Sequence, residues 1–186
     1  MTITLNGTTG ITTPAVSSTG ASTFAGSLAL PSGGLTVGTD QLVVDSVGRV
    51  TMPYQPVFSA KRTAGNVSSG VVLWDSIAVN IGNCYSSSTG RFTAPITGLY
   101  YFGANGIVGT GVTGTGCNGS LSLRKNGSPV KDSHWNMSDA WENVSITSII
   151  QLSQNDYVDY YITPADGAPY LYGSSSYSNA CGYLIG

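Results

Sequence analysis

"GRFTAPITGLYYFGANG", residues 90–106, sets one proline, four glycines and four aromatics in seventeen positions, with Arg91 its only charge. A catalytic loop needs acids, bases or nucleophiles; this stretch carries residues that pack. Leu99, Tyr100, Tyr101 and Phe102 run without polar alternation, as in a strand covered on both faces. One face fills a core. The other needs a cover, and in a two-layer β protein a copy of the same chain supplies it most economically. Gly98 and Gly103 bracket the run where a bend or close backbone approach is expected, and Pro95 stands just outside it, where its missing N–H harms no central ladder.

Outward from this strand, further strands are expected at 57–63, 71–79, 91–94, 98–108, 118–125, 142–152, 156–163, 168–173 and 179–185, and no stretch has helical periodicity. Asn118-Gly119 and Asn126-Gly127 suit tight turns because both residue types tolerate positive φ; "RKNGSPV" is a strong hairpin signal. Many short strands with turns about every ten residues give an all-β sandwich or barrel.

The spacing of Trp74, Asn80, Tyr85, Phe92, Gly98, Tyr100 and Phe102 resembles the signature of the complement C1q head domain, a relative of the tumour necrosis factor jelly roll. "VNIGNCYSSSTGRFTAPITGLYYF" is similar to that family's second through fourth strands, and "SLRKNG" and "CGYLIG" resemble its later hairpin and last strand. Trp74 stands where the family usually has Phe, and Ala104 where its pattern closes with Phe or Tyr; both keep an apolar residue. Over residues 57–186 the resemblance implies a ten-stranded jelly-roll sandwich forming a tight homotrimer, with these signature residues and Tyr183 in its core and trimer seam. It does not specify a ligand.

Residues 1–39 carry no charge, and 22 of those 39 positions are Gly, Ser or Thr. Within and beyond them, apolar residues recur as i, i+2 pairs: Leu28/Leu30, Leu35/Val37, Leu42/Val44 and Val50/Met52, separated by "PSGG", "GTDQ" and "DSVG". This reads as very short strands with regular turns, which one chain cannot bury alone. The repeat resembles the triple β-spiral of viral fibre shafts; a flexible linker is the plainer reading and suits 5–27 better than 28–52. "MTITLNGTTGITTPA" and "LTVGTDQLVVDSVGRVTMP" are similar to fibre and decoration proteins of tailed bacteriophages. The expected plan is an attachment segment at 1–27, a thin trimeric β shaft at 28–55 and a jelly-roll head at 56–186.

Composition narrows the function. Seven Lys+Arg against nine Asp+Glu give a net charge of −2, with only 9% of residues charged, so a basic footprint for nucleic acid is absent. No apolar run approaches the roughly 20 residues of a membrane span, and "MTITLNGTTG" lacks the basic and apolar regions of a secretory signal. Cys84, Cys117 and Cys181 are odd in number and lack CxxC spacing, which favours small buried thiols, with one cross-strand pair as the alternative.

Candidate chemistry is sparse. His134, the only histidine, lies in "KDSHWNMSDAWE" with Glu142 nearby, but no GxSxG elbow accompanies it, and no enzyme is expected. Asp156, Asp159 and Asp166 could supply oxygens for calcium, although no DxDxDG loop occurs; no other cofactor is expected. Tyr170, Tyr172, Tyr177 and Tyr183, with Trp135 and Trp141, suit either a sugar- or protein-binding surface or the trimer seam. Trp135, Trp141 and Tyr177 are the candidates for a ligand surface. The resulting expectation is a homotrimeric, non-enzymatic virion protein on the exterior of a tailed phage, docked through its N-terminus on a capsid or tail protein and facing a host-surface glycan. The alternative is a secreted C1q-like lectin or adhesion module attached to no virion.

Overall fold

The computed structural model of the chain describes residues 35–37, 42–44, 47–110, 117–138, 140–174 and 176–186, and the backbone alone for 35–37 and 42–44. All regular structure among them is β. Near the N-terminus, β1 (Leu35–Val37), β2 (Leu42–Val44) and β3 (Val50–Thr51) form a small antiparallel sheet in that order, with Leu35 opposite Val44 and Val44 opposite Val50. Three of the four expected apolar pairs thus begin a strand; Leu28/Leu30 and the attachment segment 1–27 lie outside the described residues.

The rest is a sandwich of two antiparallel sheets. The strands are β4 (Val57–Lys61), β5 (Gly70–Val71), β6 (Ser76–Ile81), β7 (Tyr85–Ser86), β8 (Arg91–Thr93), β9 (Gly98–Thr110), β10 (Cys117–Lys125), β11 (Ser128–Met137), β12 (Trp141–Leu152), β13 (Tyr157–Asp166), β14 (Pro169–Leu171) and β15 (Asn179–Leu184). One sheet runs β12-β9-β15-β4-β6, with β14 added on β9; the other runs β11-β10-β13-β8-β7, with β5 added on β13. Ten strands make the two five-stranded paths of a jelly roll, and β5 and β14 are short additions. The non-sequential order places β15 between β4 and β9, strands far earlier in the chain.

Local chemistry explains the strand ends. Asn126 and Gly127 both have positive φ, 51° and 84°, and close the β10–β11 hairpin with Lys125 opposite Ser128, as the Asn-Gly signal predicts. Asn118-Gly119 is different: it lies inside β10. Gly119 is needed there because a Cβ would stand 2.3 Å from the Trp135 ring and 2.8 Å from the Thr163 carbonyl oxygen. The hairpin signal marks only the start of β11; no strand range is read from the sequence over its remaining length. The strand is a sheet edge, with Pro129 near its start followed by Lys131, Asp132 and His134, the proline and charges that protect exposed edges and mask strand character.

The core between the sheets is aromatic. Phe58 stacks on Tyr85 with ring centroids 4.6 Å apart, and Phe92 meets Tyr100 and Phe102 edge-on at 5.4 and 5.1 Å. Of the two departures from the family pattern, Trp74 is fully buried and edge-on to Tyr160, while Ala104 joins Ala180 and Ala60 in a row of alanines in register across β9, β15 and β4. Asn80 does not pack in the core; it accepts from the Tyr85 amide and donates to the Tyr85 carbonyl, clamping the turn between β6 and β7. All three cysteines are free thiols, with Cys84 and Cys117 buried; burial pushes Cys84 up to about 11.

Candidate functional site

The strand pattern of the opening stretch leaves a specific surface. Along β9, Tyr100 and Phe102 point into the core, whereas Leu99 is exposed and Tyr101 half-buried on the opposite side. The register carries this outer face across the whole sheet: Ile149 on β12, Tyr101 on β9, Tyr183 on β15, Val57 on β4 and Ile81 on β6 stand in one row. Ile149 is 60% exposed and Tyr183 43%. Tyr101 and Tyr183 are in ring contact at 5.2 Å. A five-strand row of apolar side chains facing outward is unusual for a surface of one chain.

Further along the same face the side chains become polar, with Ser145, Asn105, Asn179 and Lys61 in register. Beyond them is a second aromatic group. Trp141 opens β12 opposite Gly109 of β9, and Tyr170 of β14 pairs with Gly109 from the other side. The indole lies close over Gly109, where a Cβ would be 2.5 Å from Trp141 Cζ3. It meets Tyr172 edge-on at 5.2 Å and Tyr170 at 6.1 Å, and Tyr172 in turn contacts Tyr177 at 6.0 Å. Ile107, Trp141, Tyr172 and Tyr177 line a cavity of about 330 Å³. Trp141 is shared with a neighbouring cavity of about 290 Å³, lined otherwise by Asn136, Met137, Ser138 and Glu142. This group sits at the pole of the sandwich opposite the one where residues 52–56 lead into β4 and where β15 ends.

The expected site residues divide between these places. Trp74, Tyr85, Phe92, Tyr100 and Phe102 are core; Tyr183 is on the outer apolar row; Gly98 abuts Leu184, whose Cδ1 a Cβ would approach to 2.7 Å. Trp141 and Tyr177 are surface aromatics of one cluster, but Trp135 is not: it is 3% exposed, laid over Gly119 in the core. Its inward position follows from the alternation of β11, which leaves His134 on the other side.

The three aspartates do not converge. Asp159 is fully buried on β13 and held by Arg124, whose Nε and Nη2 donate to its two oxygens at 2.7 and 2.9 Å, with Arg91 at 3.9 Å. Each arginine also lies 4.0 Å from a tyrosine ring centre, Arg124 over Tyr161 and Arg91 over Tyr157. Asp156 precedes β13 and accepts from Lys125 Nζ at 2.8 Å, Asn126 Nδ2 at 2.7 Å and the Ser153 amide at 2.8 Å; the lysine contact, then the asparagine and serine ones, lower its pKa to about 2. Asp166 is at the far end of the strand, beside Asn118. Among the described residues no three His, Cys, Asp or Glu side chains gather as a metal site. His134 and Glu142 belong to strands of different sheets.

Comparison with known proteins agrees with this geometry. Residues 57–185 match the C1q domain family. A complement C1q subcomponent of cattle (Bos taurus) is 28% identical over 139 residues, covering 74% of this chain and 55% of that protein, so the chain spans about half the length of that relative. Among solved structures, the globular domain of zebrafish complement 1qA is similar with a TM-score of 0.55 at 21% identity, over 71% of this chain and 98% of that one. Murine APRIL (TM-score 0.53, 16% identity, 70% and 99% covered) and Eiger TNF from S. frugiperda (0.54, 10%, 71% and 93%) share the fold.

Proposed function

The chain belongs to the C1q domain family, and on that premise we propose that it is a non-enzymatic structural head which three copies build together through the outer face of the β12-β9-β15-β4-β6 sheet. The observation that carries this reading is the apolar row Ile149, Tyr101, Tyr183, Val57 and Ile81. Its low charge keeps the desolvation cost of joining copies small. Sedimentation velocity tests it: a mass near three times 19.1 kDa supports the reading, and a compact monomer at micromolar concentration refutes it.

The head is read as part of a tailed-phage fibre or capsid-decoration protein, carried on the virion exterior. Support comes from the N-terminal text "MTITLNGTTGITTPA", the charge-free segment 1–39 and the short strands at 35–37, 42–44 and 50–51. Residues 1–27 then dock on a capsid or tail protein. Deleting them is expected to abolish particle binding and leave a folded, associated head; retention of the truncated protein on particles refutes the docking role. The surface aromatics around Trp141 favour, as a second reading, a secreted lectin-like module, which glycan binding without affinity for any particle would support.

A further inference from the structure

We infer that the cleft around Trp141 is a binding site for a neutral sugar ring, the indole stacking on the sugar's apolar face while Asn136, Ser138 and Glu142 take its hydroxyls. The inference deepens the reading of the chain as a head displayed by an assembly of copies and rests on it. A pyranose has one face of C–H groups and a rim of hydroxyls, so its binder needs a flat aromatic surface with hydrogen-bonding groups to one side. Trp141 provides this arrangement. On one side it borders the aromatic cavity with Ile107, Tyr172 and Tyr177; on the other, the cavity lined by Asn136, Ser138 and Glu142.

Three observations select this occupant. Among the described residues neither cavity is lined by a lysine or arginine, and Glu142 is the one charged lining residue, which disfavours an anionic sugar. The indole is 51% exposed yet braced by Gly109 and two tyrosines, so little conformational freedom is lost when it stacks on a ligand. Polar side chains, Ser145, Asn105, Asn179 and Lys61, separate the cluster from the apolar row, and it lies at the pole facing away from residues 52–56. A surface presented outward is where a receptor-facing site belongs.

The test uses the full chain. Trp74 and Trp135 are buried, so quenching of intrinsic fluorescence by acrylamide reports mainly on Trp141. Titration with chitotetraose, cellotetraose and maltotetraose, backed by an array of neutral oligosaccharides, is expected to give a saturable change with at least one of them and to protect the indole from quencher. Trp141→Ala should weaken that binding about tenfold or more, and Glu142→Gln and Tyr177→Ala by less, with sedimentation mass unchanged in all three. Absence of binding to every neutral glycan overturns the inference. So does an indole already shielded in the associated protein together with dissociation of Trp141→Ala, which makes the cluster part of the contact between copies. A failed glycan screen with an intact oligomer leaves the structural-head reading standing, so the two are separable.

Discussion

At the scale of single residues, the signature aromatics were legible because large rings at strand spacing have few places to go but a core. The role of Asp159 was not. Its partner Arg124 lies 35 positions away, and only the pairing of β10 with β13 brings the two together, making a residue read as a candidate calcium ligand the buried partner of an arginine. Removing that charge leaves Arg124, whose side chain is mostly buried, without compensation. Asp159→Asn is therefore expected to lower unfolding free energy by about 3 kcal/mol in denaturant titration. A loss under about 1 kcal/mol would mean that solvent or the Tyr161 ring compensates the Arg124 guanidinium. Asp156 predicts a pH effect. Its folded-state value, about 2, is below the ordinary 3.8, so its contribution is complete above 3.8 and drains away as pH falls toward 2. In thermal melts, wild type should lose this increment between neutral pH and pH 2, whereas Asp156→Asn should start lower and change less over that interval.

At the scale of elements, sequence periodicity located most strands within a few residues but missed β7 and β11 and read 71–79 as one strand, where the chain instead crosses from β5 in one sheet to β6 in the other. Of the two missed strands, β7 is two residues long, and β11 carries edge chemistry that reads as loop. The two Asn-Gly steps show why local signals need their surroundings. Asn126-Gly127 turns the chain; Gly119 is kept small by a ring and a carbonyl from the two flanking strands. Since the Thr163 oxygen belongs to the backbone and cannot rotate away, Gly119→Ala should force Trp135 and β13 apart and destabilise by about 2 kcal/mol, with altered near-ultraviolet circular dichroism as its optical sign. The candidate site was half legible for the same reason: Trp141 and Tyr177 were nameable as surface aromatics, but their convergence with Tyr172 depends on β14 pairing with β9.

At the scale of the whole molecule, the outer apolar row is assembled from five strands spread between positions 57 and 183; the unbroken run Leu99–Phe102 called for such a face, and of its members Tyr101 and Tyr183 were nameable from the sequence while Ile149, Val57 and Ile81 were not. Ile149→Asp combined with Tyr183→Asp should convert the proposed trimer to a folded monomer in sedimentation, because both side chains are substantially exposed in one copy and neither fills its core. Persistence of the oligomer would move the contact to another face. The place of β15 has a different kind of consequence. It is the last described strand in the chain, yet it occupies the middle of the sheet. A ribosome-released fragment ending at residue 178 keeps β4 and β9 but has an open lane between them and lacks Tyr183. Such a fragment, co-expressed with tagged full-length chain, is expected not to co-purify with it, and its recovery there would refute the idea. Sheet order thus makes the sandwich depend on the described strand that is translated last: until Asn179–Leu184 emerges, the lane between β4 and β9 stays open.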